Sequence, residues 1–331
     1  MQHVLQPVRE SSETDDVVRV GLIGARGHVG KEIIRLTGEH PQLRLAFATS
    51  REQAGERVPA AARHDLLNGR YVATTPDVCE MPADVYILAL PNGMSAPYVQ
   101  RIDAEYGSDP VIIDMSADHR CNDAWVYGIP EINASAITTS KRIANPGCYA
   151  TAMMLGLAPV AALFDDRPPA AFGVSGYTGA GTTPSDRNDV DLLHDNLLPY
   201  QLADHVHERE VARHLGRSVY FTPHVASFAR GISLTITATL EQAATTIEML
   251  DSYPRFYGES PLIHVSQDVP RVRAIAGTTG AVVGGISVSE RDPHRLSLVV
   301  TLDNLLKGAA SQAIQNINLA LGLDHSAGLP T

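Results

Sequence analysis

Cys148 has the sequence setting of a reactive thiol. It follows an Asn-Pro-Gly tripeptide and precedes an alanine- and leucine-rich run, 149–164, that predicts a long buried helix. The N-terminus of a helix stabilises a thiolate through the helix dipole, and the Pro-Gly pair permits a turn that exposes the sulfur. A free cysteine is nevertheless more often a small buried core residue, and we assign Cys79 and Cys121 to that class.

His224 is the histidine best placed to assist such a thiol. It belongs to a Thr-Pro-His sequence ahead of Arg230 and a β-forming run, which predicts a loop leading into a sheet, where catalytic groups often lie. His205 and His207 occupy a polar, helix-like stretch, but their i, i+2 spacing places them on different faces. They therefore do not predict a metal pair, and three widely separated cysteines predict no zinc site.

A strand–helix turn near the start of the chain is rich in glycine. Glycine recurs there at every third position, at Gly21, Gly24, Gly27 and Gly30. Glycine lets backbone N–H groups approach a pyrophosphate, and the following helix N-terminus favours its negative charge. The spacing is GxxGxxG rather than GxGxxG, so a tight turn that merely needs glycine is the alternative. The placement between an apolar strand, 17–24, and a helix, 31–38, favours a dinucleotide site.

The end of the second predicted strand, 43–50, indicates which dinucleotide binds. An NAD site usually has an acidic residue at this point, whereas an NADP site often has an arginine. Ser50 and Arg51 stand there in this chain, and both suit a 2′-phosphate. The sequence therefore predicts NADP, with a solvated loop charge as the lesser alternative for Arg51.

The order of the predicted elements indicates two different sheets. Before Cys148 we predict strands at 17–24, 43–50, 84–90 and 111–115 and helices at 31–38 and 95–105. After it we predict strands at 171–175, 232–240, 282–289 and 296–302 and helices at 149–164, 245–257 and 305–321. Strands that alternate with helices form parallel sheets, whereas alternating apolar and polar residues are typical of antiparallel strands. The predicted fold class is α/β, with a Rossmann-type dinucleotide-binding domain and an α+β catalytic domain whose sheet is mostly antiparallel.

The bulk composition limits the partners. The 331 residues favour two domains, and a hydrophobic fraction of 44% allows a sizeable core. A net charge of −11 without a basic cluster argues against binding to nucleic acid. The chain also lacks a polybasic segment and an apolar run of about 20 residues, which argues against a membrane. An odd number of cysteines favours the reducing cytoplasm, and the polar residues 1–16 predict a frayed extension without the apolar centre of a signal peptide.

Eight sequence blocks, spread over nearly the whole chain, follow the motif order of one known family. They are GARGHVG (24–30), LPNG (90–93), DMSADHR (114–120), YGIPEIN (127–133), NPGCYAT (145–151), SGYTGAG (175–181), TPHVASFARGI (222–232) and DNLLKGAASQAIQNIN (303–318). In these blocks the chain resembles the N-acetyl-gamma-glutamyl-phosphate reductase family. The wider superfamily includes aspartate-semialdehyde dehydrogenase and glyceraldehyde-3-phosphate dehydrogenase, which share the two-domain plan.

The resemblance implies an activity and a mechanism. The reaction would be the NADPH-dependent reduction of N-acetyl-L-glutamyl 5-phosphate to N-acetyl-L-glutamate 5-semialdehyde and phosphate, in arginine biosynthesis. Cys148 would form a thioester, with His224 as its acid/base partner and Asn304 near the nicotinamide. The implied partners are a small acyl-phosphate substrate and identical subunits in a dimer or tetramer. The implied domains are 17–147 with 305–331 for NADP, and 148–304 for catalysis and oligomerisation.

The candidate binding residues come from these motifs. The expected cofactor contacts are Gly24, Arg26, Gly27, His28, Val29, Gly30, Ser50, Arg51, Asn92, Gly93 and Asn304. Arg120, Arg230 and Asn145 are the expected substrate contacts, because arginine binds carboxylate and phosphate bidentately. Each arginine would equally serve in a structural ion pair. The chain departs from the family pattern at Ala150, Thr182, Gln201, Ser227 and Phe228, which leaves the preferred acyl group open.

Three alternative functions follow from the same residues. An aspartate-semialdehyde dehydrogenase-like enzyme would use the same thiol on a different acyl phosphate. A non-catalytic NADP-binding sensor would keep the fold, but the retention of Cys148 and His224 in their motifs argues against it. A zinc hydrolase has no convincing ligand set in this sequence.

Overall fold

The structure is a computed structural model that describes residues 17–59, 69–258 and 260–330. The predicted frayed extension, residues 1–16, lies outside the described residues. Two hydrophobic cores dominate the described chain, one around each of two sheets.

The first sheet is parallel throughout and confirms the predicted Rossmann-type half. Its strands are β1 (Val18–Ile23), β2 (Leu43–Ala48), β3 (Val85–Leu88), β4 (Val111–Asp114), β5 (Val126–Tyr127) and β6 (Arg142–Ala144). They lie in the order β2-β1-β3-β4-β6-β5. The strands are apolar runs because helices cover both faces of a parallel sheet. The chain adds β2 on one side of β1 and then crosses over to add β3 on the other side, so a topological switch point lies between β1 and β3. At such a point the carboxyl ends of the strands form a ligand crevice.

Three helices accompany this sheet. They are α1 (His28–Glu39), α2 (Ala96–Tyr106) and α3 (Pro130–Thr138). The first begins three residues before its predicted start, directly after Gly27. Its buried side, which includes Ile33, Ile34 and Leu36, packs on the sheet. The glycine-rich turn therefore leads straight into a helix N-terminus.

The second sheet is mixed. After α4 (Cys148–Leu157), the elements of this half are β7 (Ala170–Gly176), α5 (Val190–Leu193), β8 (Leu197–Pro199), α6 (Val206–Leu215), β9 (Tyr220–Ala226), β10 (Ile232–Thr239), α7 (Thr246–Tyr257), β11 (Ile263–Ser266), α8 (Val272–Ile275), β12 (Ala281–Val288) and β13 (Arg295–Leu302). The strand order is β11-β12-β13-β10-β7-β9-β8. β11 pairs with β12 and β7 pairs with β9 in parallel, whereas the other neighbours are antiparallel. The expectation of a mostly antiparallel sheet is correct.

α4 is shorter than the predicted helix over 149–164. It ends at Leu157, and a 3₁₀ turn over Ala158–Leu163 follows, because Pro159 lacks the N–H that an α-helix requires. Nine of its ten residues are buried, so α4 forms the centre of the second core. Within the described ranges, every helix is too short or too polar to span a bilayer.

The seven-stranded sheet has one covered face and one open face. Ile232, Leu234 and Ile236 point towards α4 and are fully buried, whereas Thr235 and Thr237 point away and are exposed. On the neighbouring strand, Phe172 shares the outward face and remains 45% exposed. Side chains alternate between faces along a strand, so register alone assigns each residue of this sheet to a face.

The chain then returns to the parallel sheet. Turns over 303–309 lead into α9 (Ala310–Ala320), which is shorter at its start than the predicted helix over 305–321. α9 packs against α1, α3 and β4. The buried Lys307 donates to Glu131 of α3 at 2.8 Å, which fixes the returning segment next to the first sheet.

Candidate active site

Cys148 is the first residue of α4 and follows the turn after β6. Asn145, in that turn, is fully buried, and its amide is committed within the chain. It donates to the Ala309 carbonyl at 3.2 Å and accepts from Asn316 at 3.0 Å. Asn145 therefore fastens the turn to the start of α9. Its expected role as a substrate contact stays a prediction, and the structure gives it a structural one.

Glu210 of α6 holds the residue before the thiol. Its carboxylate accepts from the Gly147 amide at 2.9 Å, the Tyr127 hydroxyl at 2.7 Å and the Arg120 guanidinium at 3.0 Å. Burial alone would raise the pKa of Glu210, but the positive charge of Arg120 and these donors hold that pKa below its ordinary value. The turn that presents Cys148 is thus anchored to a buried carboxylate.

Arg120 also holds the turn before Cys148, and together with Glu210 it forms what we call the clamp. Beyond its ion pair with Glu210, it donates to the carbonyls of Asn145 and Met115, each at 2.9 Å. Only 10% of its side chain is exposed. Of the two roles expected for Arg120, the structure supports the structural ion pair.

His207 lies beside the turn 145–147 that precedes Cys148, hereafter the thiol turn. The sequence did not predict this contact. A Cβ built on Gly147 would lie 2.2 Å from Nε2 of His207, so the imidazole touches the residue that precedes Cys148. Burial lowers the pKa of His207 to about 3, which keeps the ring neutral, and its Nδ1 has no partner among the described residues. The available signal was the i, i+3 spacing of His207 and Glu210, which places both on one face of α6.

His224 lies elsewhere in this chain. It belongs to β9 rather than to the predicted loop, and it pairs in register with Val174 of β7. Its ring packs on Phe172 at 4.3 Å, on the face of the sheet turned away from α4. Its link to α4 is its backbone carbonyl, which accepts from the Tyr149 hydroxyl at 2.8 Å. The structure does not bring the imidazole to Cys148 within one chain, and its acid/base role stays a prediction.

Burial opposes ionisation of the Cys148 thiol. Its crowded surroundings raise its pKa to about 11, because the thiolate loses hydration, although the Tyr149 amide and the Arg120 charge act in the opposite direction. Gly308 contributes to the crowding, since a Cβ built there would lie 2.7 Å from the Cys148 Cβ. Burial thus opposes the stabilisation of a thiolate by the helix N-terminus, and the reactive thiolate expected from the sequence stays a prediction.

The glycine-rich turn fits a dinucleotide. Gly24 adopts φ +94°, and a Cβ there would lie 2.4 Å from the Ala89 carbonyl at the end of β3, so glycine is required where β1 and β3 end. A Cβ at Gly27, in contrast, would meet nothing within 4 Å. The first turn of α1 has no capping side chain and no acidic residue. The amides of His28, Val29 and Gly30 thus have no capping side chain among the described residues, as a pyrophosphate site requires.

Other expected cofactor residues surround this crevice. Asn92 accepts from the Ala117 amide at 3.0 Å, and the Gly93 amide donates to Asp118 at 2.6 Å, so both belong to the loop after β3. Arg26 donates to Thr182 at 3.1 Å and also pairs with Glu52. A cavity of about 580 Å³ extends from His28 along the loop 181–189.

Ser50 and Arg51, the two residues expected to bind the 2′-phosphate, differ in whether their side chains are free to do so. Ser50 is fully buried, and its hydroxyl accepts from the Gln53 amide at 3.0 Å, so its side chain shapes the loop. Arg51 is exposed and forms no ion pair among the described residues. Arg51 is therefore the cation free to meet an anionic group at the end of β2.

Arg230 joins the two halves of the chain, whereas Asn304 bonds within the second half. Asn304 accepts from the Gly231 amide at 2.7 Å and donates to Thr178 at 3.0 Å, so both ends of its amide are used. Arg230 donates to Asp303 at 2.9 Å and to Glu32 of α1 at 2.6 Å. The structure supports the ion-pair role for Arg230, while the nicotinamide contact of Asn304 stays a prediction.

Comparison with known proteins decides the family. The N-acetyl-gamma-glutamyl-phosphate reductase of Stenotrophomonas maltophilia is 49% identical over 319 residues, which span 96% of this chain and 99% of its own length. The chain belongs to the N-acetyl-gamma-glutamyl-phosphate reductase family. The resemblance drawn from the sequence motifs is confirmed.

Two domain models of the semialdehyde dehydrogenases match this family member. The NAD-binding domain matches residues 19–140, and the dimerisation domain matches residues 148–304. The second match begins at Cys148 and ends at Asn304.

Solved structures share the fold of this family member at low identity. Aspartate semialdehyde dehydrogenase II of Vibrio cholerae superposes with a TM-score of 0.75 at 19% identity, covering 92% of this chain and 98% of that one. The Candida albicans aspartate semialdehyde dehydrogenase, solved with NADP, has a TM-score of 0.68 at 17% identity, with the same coverage of both chains. At such identities these likenesses establish the fold alone.

Proposed function

We propose that this chain is a cytoplasmic enzyme of arginine biosynthesis that reduces N-acetyl-L-glutamyl 5-phosphate to N-acetyl-L-glutamate 5-semialdehyde and phosphate. The observation that carries the proposal is the position of Cys148. It begins a buried helix after a turn that Glu210 anchors, in a chain 49% identical to a reductase of that name. A partly accessible thiol at a helix start suits covalent catalysis of acyl transfer.

Proton transfer from the thiol is the first chemical requirement. Because burial raises the pKa of Cys148 to about 11, a base must accept the proton as the sulfur attacks. A C–S bond then forms while the C–O bond to the phosphate breaks, which releases phosphate and leaves a thioester. We propose His207 as the base, since its neutral imidazole adjoins Gly147 and the charges of Glu210 and of the forming thiolate would both stabilise the imidazolium, against the burial that lowers its pKa. His224 is the alternative that the family resemblance implies.

The oxygen of the acyl group needs hydrogen-bond donors when the carbon becomes tetrahedral. α4 has no side chain capping its N-terminus, and the amides of Cys148 and Tyr149 point towards the sulfur. Backbone N–H groups at a helix start stabilise developing negative charge without reorganisation. We assign the oxyanion site to this first turn.

NADPH, when bound, would supply the hydride that converts the thioester to the aldehyde. The residues of this chain would hold its pyrophosphate at the open first turn of α1 and its 2′-phosphate at Arg51. His207 would return the proton to the departing sulfur, which restores the thiol. The preference for NADP over NAD rests on Arg51 and on the missing acidic residue at the end of β2.

A second copy of the chain would cover the open sheet face. That face carries Phe172, Thr235 and Thr237, and it lies in the segment matched by the dimerisation domain. A homodimer through this face would bury Phe172, on which the ring of His224 packs. Sedimentation of the purified chain tests the oligomeric state.

An assay in the reverse direction tests the function. NADP reduction is followed with N-acetylglutamate 5-semialdehyde and phosphate, and aspartate semialdehyde serves as the comparison. We expect phosphate-dependent reduction with the first aldehyde and little with the second. The opposite preference would identify an aspartate-semialdehyde dehydrogenase, and NADP binding without turnover on either would identify a non-catalytic sensor.

A further inference from the structure

The two arginines first expected to bind the substrate are both paired with carboxylates. Arg120 is bonded to Glu210, and Arg230 is bonded to Asp303 and Glu32. A guanidinium already neutralised by buried or half-buried acids contributes little further attraction to a ligand carboxylate. If the substrate has a free carboxylate, another cation must meet it.

Arg187 is half-buried and lacks such a partner. Among the described residues it forms no ion pair within 4.0 Å, although it precedes the acidic start of α5. Its guanidinium lies over the ring of Tyr200, 4.9 Å from the centroid. Stacking on an aromatic ring orients a guanidinium while leaving its N–H edge free for a carboxylate.

A row of rings connects Arg187 with the thiol turn. The Tyr200 ring lies 5.9 Å from that of His205, and the His205 ring lies 4.7 Å from that of His207. His207 in turn touches Gly147, the residue before Cys148. The row therefore links Arg187 to the turn before Cys148 through successive ring contacts.

The electrostatics agree with this arrangement. Burial lowers the pKa of His205 to about 4, and the charge of Arg187 acts in the same direction. Burial raises the pKa of Tyr200, whereas the charge of Arg187 acts in the opposite direction. Arg187 thus acts on both Tyr200 and His205, two neighbouring members of the row of rings.

We propose that Arg187 binds the α-carboxylate of the acylated amino acid substrate, with Tyr200 as the surface on which its guanidinium rests. The inference rests on the proposed function, because it takes the reactive carbonyl to lie at Cys148. In N-acetylglutamyl phosphate the carboxylate carbon is four bonds from that carbonyl carbon. Arg187 would therefore select for substrates that carry this carboxylate, while His207 and Cys148 act on the other end.

The test compares two aldehydes in the phosphate-dependent reverse reaction. N-acetylglutamate 5-semialdehyde carries the carboxylate, and 4-acetamidobutanal is the same molecule without it. We expect Arg187→Ala to raise KM for the semialdehyde about 10- to 100-fold, the usual loss for charge-assisted hydrogen bonds, with little change in kcat. KM for 4-acetamidobutanal, high already in the wild type, is expected to stay unchanged. Arg187→Lys should show an intermediate KM, because it keeps the charge and loses the bidentate geometry.

Arg209→Ala is the matched control, since it removes one exposed positive charge from the adjacent α6. It should behave as the wild type with both aldehydes. An equal change in KM for the two aldehydes, or a change confined to phosphate, would overturn the assignment of Arg187 to the carboxylate. A wild type that is inactive with the semialdehyde would instead refute the proposed function, so the two failures are distinguishable.

Discussion

Glu210 accepts a 2.9 Å hydrogen bond from the backbone amide of Gly147, the residue that precedes Cys148. The bond joins α6 of the second half of the chain to the turn that follows the parallel sheet. Because the same carboxylate binds Arg120 and Tyr127, three donors from the first half meet one acceptor from the second.

Replacing this carboxylate tests the clamp. Glu210→Gln would leave the buried Arg120 uncompensated, and breaking such a pair costs about 3–5 kcal/mol of the free energy of unfolding. Urea denaturation of the variant should show this loss. The double variant Arg120→Met, Glu210→Leu should recover part of it, because both charges are then absent. Exposed Glu241→Gln is the control, and an equal loss in that variant would contradict the assignment.

The thioester mechanism predicts a specific outcome for Cys148→Ser. The side chains are similar in size, so the variant should fold and bind NADPH. It should lose nearly all turnover, because a hydroxyl is a far weaker nucleophile at neutral pH. Mass spectrometry of the wild type, quenched with acyl phosphate in the absence of NADPH, should show an acyl adduct on Cys148. Substantial activity in the serine variant would mean that hydride reaches the acyl phosphate directly.

Two histidines compete for the acid/base role, and one pair of variants separates them. We expect His207→Asn to lower kcat by about two to four orders of magnitude, the usual worth of general acid–base catalysis. His224→Asn should retain most of the activity per assembled enzyme, because its ring lies on the face away from α4. NADPH affinity, measured by fluorescence titration, should change little in either variant. A large loss confined to His224→Asn would restore the role first expected from the sequence.

The fold was predictable where local patterns determine it. Apolar runs predicted β1, β2 and β4 to within two residues at either end, since a strand buried on both faces has few polar residues. The end of α4 was missed even though Pro159 marks it, because the apolar run continues to Phe164. The strand that carries His224 was missed because its Thr-Pro-His sequence is typical of a loop, and only pairing with β7 and β8 makes it a strand.

The active site was predictable only in part. The Pro-Gly-Cys turn identified Cys148, but the contacts of Glu210 and His207 with Gly147 join residues some 60 positions apart. No local pattern encodes such a contact. The same holds for the ion pairs of the two arginines. Arg120 pairs with Glu210, 90 residues away, and Arg230 pairs with Asp303 and Glu32, which are 73 and 198 residues away. Their ion pairs are a consequence of tertiary structure.

Arg51 should determine the choice of cofactor. It is exposed and unpaired among the described residues, at the point where an acid would favour NAD. Arg51→Ala should raise KM for NADPH about tenfold and leave KM for NADH nearly unchanged, since only NADPH has a 2′-phosphate. Arg57→Ala, which removes an exposed positive charge from the same loop, is the control. A wild-type enzyme that uses both cofactors equally would contradict the NADP assignment.

The raised pKa of Cys148 predicts how its reactivity depends on pH. Only the thiolate reacts with iodoacetamide, and with a pKa of about 11 its fraction rises tenfold for each pH unit between pH 7 and 9. The alkylation rate of Cys148, followed by mass spectrometry of its peptide, should rise accordingly and show no plateau in this range. Cys121 is exposed, so its assignment to the buried core was wrong, whereas Cys79 is buried as expected. Cys148→Ser accounts for labelling of Cys121.

The same pKa has a consequence for stability. The folded chain keeps the Cys148 proton to higher pH than the unfolded chain, whose thiol titrates near its ordinary value of about 8.5. The contribution of the protonated thiol to the free energy of unfolding is complete below pH about 8.5. It is lost as pH rises towards 11, because the unfolded state then binds fewer protons than the folded state. Urea denaturation between pH 8 and 10.5 should show a steeper loss of stability in the wild type than in Cys148→Ser. Parallel pH profiles, or an alkylation plateau near pH 7, would mean that the thiol is ionised in the resting enzyme and needs no base.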